Sequence, residues 1–251
     1  MPPPLSIAVL HLKGGSGKTT LAVALASAAH LAGLRTKLID TDVQASSLAW
    51  GAQRAEGSKL EGLNVELAVS KSIRRIEYPR FVEMTTGFDV TIIDGPAREE
   101  GITRSAAFFA DVALIPIAPG PTDMWAVRET LSAIDDADLA RMDRGRPHIR
   151  RCFVVNAARI GSVLARDARE EIEEGLAGEV VGVIHHRVSL PRAMARGETV
   201  LTLPVATEAA TEIGRLWRTL RGSDGPRTKL KKPSQATPRG RARRKDVALR
   251  G

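Results

Sequence analysis

The chain has 251 residues and 43% hydrophobic content, enough for one sizeable α/β core. Its single cysteine excludes a disulfide framework and argues against a self-contained zinc-thiolate or iron–sulfur site, and its place in the apolar run CFVV marks Cys152 as a buried thiol. The net charge of +8 belongs to one end: residues 221–251 hold 11 lysines and arginines against 2 acids, whereas residues 1–220 hold 26 against 27.

That last segment is rich in Pro, Gly, Ser and Arg and poor in aliphatics, so it cannot bury enough surface to offset its ordering entropy. The expected organisation is a folded domain at 1–220 and a disordered basic tail at 221–251. No basic region precedes the short apolar run at the N-terminus, and no run approaches the roughly 18 apolar residues of a membrane span. These features read as a soluble, cytoplasmic protein.

In chain order, SIAVLHL (6–12) reads as a strand, followed by KGGSGKTT (13–20) and a helix over 19–32 closed by Gly33. TKLIDT (36–41) and a helix over 45–54 come next, then DVTIIDG (89–95) with a helix over 98–109. DVALIPI (111–117) leads to a helix over 125–137, RCFVVNA (151–157) to one over 163–174, and EVVGVI (179–184) to one over 206–220. Short β-branched runs alternating with helices predict an α/β fold: a doubly wound, mostly parallel sheet flanked by helices, with ligands at the carboxyl ends of the strands.

Three stretches carry chemistry. Gly17-Lys18-Thr19, after a strand and opening a helix, is where backbone amides wrap a phosphate. Lys18 supplies a point charge to the β- and γ-phosphates, and the Thr19 hydroxyl is placed to ligate Mg²⁺. Asp40 and Asp42, in LIDTDVQ, would share a face if the strand continued that far, where paired carboxylates hold a metal through water and orient an attacking water. A strand-ending Asx turn is the other reading of the pair. Asp94 ends FDVTIID, as the acid of a Walker B strand does.

The phosphate loop has Leu12 where the generic pattern wants glycine, and a second lysine, Lys13, five residues before Lys18. KGGSGKTT resembles the deviant Walker A loop of the ParA/MinD family of P-loop ATPases, and the resemblance extends from Leu5 to about Leu220. It implies that Lys13, Gly14, Gly15, Ser16, Gly17, Lys18, Thr19 and Thr20 bind ATP, with Lys13 reaching the partner's phosphates in a nucleotide-sandwich dimer. It makes Asp42 the hydrolysis residue, Asp40 its companion on the metal side, and Asp94 an indirect Mg²⁺ ligand. Val43 stands where the family has proline, and Gly95 where it more often has threonine. Asn156 would read adenine, although a turn asparagine explains it almost as well. The segment from Pro116 to Trp125 would build dimer and partner contacts, against a reading as an ordinary βα loop with a core tryptophan. Arg187, Arg192 and Arg196 are the candidates for nonspecific DNA binding, against a reading as ordinary solvated arginines.

The implied function is a short ParA-type partition ATPase, slow and partner-stimulated, cycling over the nucleoid. ATP closes the homodimer, the dimer binds DNA without sequence preference, and a centromere-binding or cargo adaptor protein triggers hydrolysis and release. The alternatives are a MinD-like or protein-cargo-positioning ATPase, and a metabolic P-loop ligase of the dethiobiotin-synthetase kind. The basic tail fits DNA or acidic headgroups and speaks against membrane insertion. A ligase would need neither Lys13 nor that tail.

Overall fold

In a computed structural model, residues 4–70, 72–205 and 207–222 are described. Apart from Arg221 and Gly222, the expected basic tail lies outside them. The elements are β1 (Leu5–Val9), α1 (Lys18–Leu31), β2 (Thr36–Asp40), α2 (Ser46–Ala52), β3 (Asn64–Leu67), α3 (Tyr78–Thr85), β4 (Val90–Asp94) and α4 (Glu100–Phe109). They continue with β5 (Val112–Ile117), α5 (Pro121–Met142), β6 (Arg150–Ala158), α6 (Val163–Gly175), β7 (Glu179–His185), α7 (Ser189–Met194) and α8 (Glu208–Arg221).

The strands form one parallel sheet in the order β3-β2-β4-β1-β5-β6-β7. From β1 the chain first winds towards β3 and later, after β4, towards β7. The reversal beside β1 opens the crevice in which such sheets bind ligands. All six expected strands are present, and the doubly wound α/β architecture is as the alternation predicts.

Successive strand residues serve opposite faces, because the side-chain period of a strand is two. Ile7, Val9, Leu38, Ile92, Leu114 and Val154 pack with α1 and α8, whereas Ala8, Ile39, Ile93, Ala113, Ile115 and Val155 pack beneath α3, α4 and α5. Cys152 is fully buried, as its apolar setting predicts, and burial pushes its thiol upward. α1 is buried from Leu21 to Ala29, which its alanine-rich sequence permits by letting the helix lie close to the sheet.

Three elements go beyond the sequence expectation. β3 is a four-residue edge strand whose NVEL alternates apolar and polar, too short a run to register. α3 is a short helix whose buried contacts are Phe81 and Met84, and α7 is six residues long. α5 also starts earlier than Trp125, with proline in its first turn, where the missing N–H costs no hydrogen bond.

Candidate nucleotide site

β1 delivers the chain into the phosphate loop at the middle of the sheet. Leu10 N–H donates to Leu114 O at 2.9 Å, and Gly95 N–H donates to Val9 O at 3.0 Å, tying the exit of β1 to both neighbours. A Cβ on Gly95 would stand 2.7 Å from Val9 O and from Leu10 Cδ2, so this close approach explains the glycine. Within the loop Gly15 and Gly17 have φ of 77° and 88°, and Gly17 is the residue from which α1 starts. That conformation is open to glycine at little cost.

The two lysines take opposite positions. Lys18 is buried, its Nζ donates to Lys13 O across the loop at 3.1 Å, and its pKa is lowered by burial, with Asp94 and Asp42 opposing the shift. Lys13 sits at the mouth, and its Nζ is 2.5 Å from Oδ2 of Asp123 in the first turn of α5. The same helix holds the loop entry: Thr130 Oγ1 accepts Leu12 N–H at 3.0 Å. His11 Nδ1 accepts Lys13 N–H at 3.0 Å, and burial lowers the pKa of this imidazole to about 4.

Asp40 and Asp94 stand side by side in the β2–β4 register. Asp94 is fully enclosed, and its pKa is pushed up to about 7 by burial and then by Asp40, against hydrogen bonds from Ser47 and Thr19. Ser47 Oγ donates to Asp94 Oδ2 at 2.8 Å, while Oδ1 of Asp94 is buried without a partner. Asp40 accepts Asp42 N–H at 3.0 Å on one oxygen and the amides of Ser47 and Leu48 at 2.8 and 3.1 Å on the other. It thereby caps the start of α2, and burial raises its pKa.

β2 ends at Asp40, so Asp42 does not share a strand face with it. Asp42 is in a turn instead: its Oδ1 accepts Gln44 N–H at 2.9 Å, and its Oδ2 accepts Ala97 N–H at 3.3 Å from the loop after β4. The carboxylate bridges two loops that both face the phosphate cradle.

An unpartnered Asp94 oxygen beside the Thr19 hydroxyl is an oxygen donor set that fits a hard divalent cation. Among the described residues no group of three or more His, Cys, Asp or Glu side chains surrounds a metal, so phosphate oxygens and water would complete the shell.

Asn156 packs against the loop. Its Nδ2 donates to Ser16 O at 2.8 Å, and a Cβ on Gly17 would lie 2.2 Å from that nitrogen. Ser16 Oγ is buried and unpartnered. The arginines expected at a DNA surface differ in their pairing. Arg187 is neutralised by Glu208 and Glu212 at 2.6 and 2.9 Å, whereas Arg192 and Arg196 are exposed and in no ion pair among the described residues.

Asp123, Ser47 and Thr130 are site residues that sequence reading missed. The one signal was Asp123 itself, an acid between Pro121 and Trp125 at a strand exit.

A phosphate loop, two strand-end acids and a parallel sheet with its reversal at the loop define a P-loop NTPase fold. The chain belongs to the family described as the CobQ/CobB/MinD/ParA nucleotide binding domain, which matches residues 7–200. It is 26% identical to maintenance of carboxysome distribution protein A of Halothiobacillus neapolitanus over 213 residues, 84% of this chain and 94% of that protein. Among solved structures it resembles the MinD cell division protein of Aquifex aeolicus, with a TM-score of 0.65, 24% identity and coverage of 88% and 99% of the two chains. A putative plasmid partition protein of Borrelia burgdorferi, bound to AMPPNP, gives a TM-score of 0.65 at 17% identity, covering 88% and 100%. The family that includes ParA and MinD, expected from KGGSGKTT, is thereby shown. No helix among the described residues is long and apolar enough to cross a membrane.

Proposed function

We propose that this protein is an ATP-switched positioning ATPase that distributes a protein cargo over the nucleoid. ATP binds the loop from Lys13 to Thr20 and closes a homodimer. The dimer holds DNA nonspecifically through Arg192, Arg196 and the basic tail, and a cargo adaptor stimulates slow hydrolysis to release it. Thr19 and Asp94 would hold Mg²⁺, which neutralises phosphate charge when bound. Asp42 orients the attacking water, Asp40 keeps the Asp42 loop in place, and Asn156, which donates to Ser16 O, reads the base.

The observation that carries this reading is the divergence of the two lysines. Lys18 is turned into the cradle, and Lys13 is held at its mouth, where a partner's nucleotide can be reached. Exposed Trp125, Ile160, Val163, Leu164 and Val188, all on the carboxyl side of the sheet, supply apolar surface for such a face. A protein cargo is preferred over a plasmid or chromosome because the carboxysome distribution relative matches over nearly its whole length. DNA segregation, the first expectation from the sequence, is the second reading.

The test is fluorescence anisotropy on unrelated duplexes with ATP or ADP, together with light scattering. The proposal expects a doubled mass and tighter DNA binding with ATP alone, and equal DNA affinity in both nucleotides would contradict it. Loss of plasmid or chromosome inheritance on deleting the gene would favour the second reading.

A further inference from the structure

Among the described residues three that are not glycine have left-handed backbone: Ala45 (φ 53°), Arg98 (φ 62°) and Ala157 (φ 54°). They lie at or just beyond the carboxyl ends of β2, β4 and β6, around the phosphate loop. Backbone held in such regions persists where the surroundings enforce it. Two of the three are alanines, without reach. Arg98 carries a long cation in a position that glycine would occupy more easily.

The surroundings of Arg98 are specific. Its N–H donates to Leu12 O at 2.9 Å, directly before Lys13, and the preceding Ala97 N–H donates to Asp42 Oδ2 at 3.3 Å. Its Cα is therefore pinned between the loop entry and the Asp42 carboxylate. The side chain is exposed and forms no ion pair among the described residues, although two glutamates follow it, and the first of these pairs with Arg74.

We infer that Arg98 contacts the terminal phosphate of the nucleotide bound in its own protomer. This rests on the nucleotide-switch reading above. A guanidinium presents paired donors that match phosphate oxygens, and the terminal phosphate is the group that ATP has and ADP lacks. The contact therefore forms in one nucleotide state only. Since Ala97 is bonded to Asp42 and α4 begins two residues after Arg98, it also links the phosphate to α4, which packs along α5.

The experiment compares Arg98→Gln, Arg98→Lys and Arg98→Gly with wild type. Binding of a nonhydrolysable ATP analogue and of ADP is titrated at protein concentrations too low for association. Glutamine and glycine should weaken the analogue about tenfold or more, leave ADP unchanged within roughly twofold, and lysine should recover part of the loss. The melting temperature of Arg98→Gly should hold or rise, because glycine adopts this φ freely. Unchanged analogue affinity in Arg98→Gln and Arg98→Gly overturns the assignment, as does an equal loss for ADP. A defect seen only in dimer formation also overturns it, by moving the contact to the partner's nucleotide. A wild type that binds ATP but does not dimerise would count against the switch reading and leave the Arg98 result standing.

Discussion

Lys13 of the phosphate loop and Asp123 of α5 form an ion pair at 2.5 Å in which the aspartate side chain is buried and the lysine side chain is 36% exposed. The lysine assigned to a partner's phosphates is therefore held by its own chain. Leaving Asp123 strands a buried carboxylate, and an unpaired buried charge is costly. In the proposed dimer, the pair sets a threshold that the partner's triphosphate must overcome.

Asp123→Asn lowers that threshold. A hydrogen bond to a charged group contributes about 1.5–3 kcal/mol and a dimer would break two such pairs, so dimer formation with ATP should need at least roughly tenfold less protein. Sedimentation over a concentration series reads this directly. An unchanged or weaker dimer would mean that Asp123 aims Lys13 and does not restrain it.

Asp42 joins the turn at Gln44 to Ala97 across the cradle. Replacing it with alanine removes the carboxylate proposed to orient water and should slow turnover by about 10²-fold while the ATP dimer persists. Phosphate release with and without a trapped dimer measures both. Wild-type turnover in Asp42→Ala would reduce this residue to a turn former.

Gly17→Ala should damage the site and the fold together. Left-handed backbone costs an alanine about 1–2 kcal/mol, and the new Cβ would meet Asn156 Nδ2 at 2.2 Å. The amide must then move and release Ser16 O, forfeiting about 1 kcal/mol more. A lower urea midpoint and lost nucleotide binding are expected. A loss no larger than the backbone cost would show that Asn156 is free to swing away, and normal stability would contradict the strain assigned to this φ.

His11 gives the protein an acid sensitivity. Its folded pKa of about 4 lies below the ordinary 6.5, so between these values the unfolded chain binds a proton that the folded one refuses. The stability from neutral His11 is complete above pH 6.5 and is lost as pH falls towards 4, by about 3 kcal/mol in all. His11→Asn keeps an acceptor for Lys13 N–H and removes the titration. Urea midpoints from pH 7 to 4 should fall less steeply in this variant, and parallel curves would refute the assignment.

The central strands were legible because they are continuous β-branched runs buried on both faces, and the phosphate loop because its glycines and lysines have fixed spacing. β3 escaped because four alternating residues at a sheet edge carry too little pattern. Asp123 and Ser47 escaped for another reason. Their partners, Lys13 and Asp94, lie far away in sequence, and the contacts exist only after the sheet has brought the strand ends together. Asp40 was expected as the metal-side companion of Asp42, with an Asx turn as the other reading; its bond to the Asp42 amide fits that turn, whereas its hold on the amides of Ser47 and Leu48 is announced by no local signal. Arg187 looked like a surface cation because Glu208 and Glu212 approach it from α8, more than twenty residues on.

The division of labour between the two lysines is tested most directly by light scattering of Lys13→Ala and Lys18→Ala with ATP and Mg²⁺, beside titrations of ATP binding. Lys18→Ala should lose ATP binding altogether. Lys13→Ala should keep measurable binding and remain a monomer at concentrations where wild type dimerises. A Lys13→Ala protein that dimerises as fully as wild type would contradict the role of Lys13 across the interface.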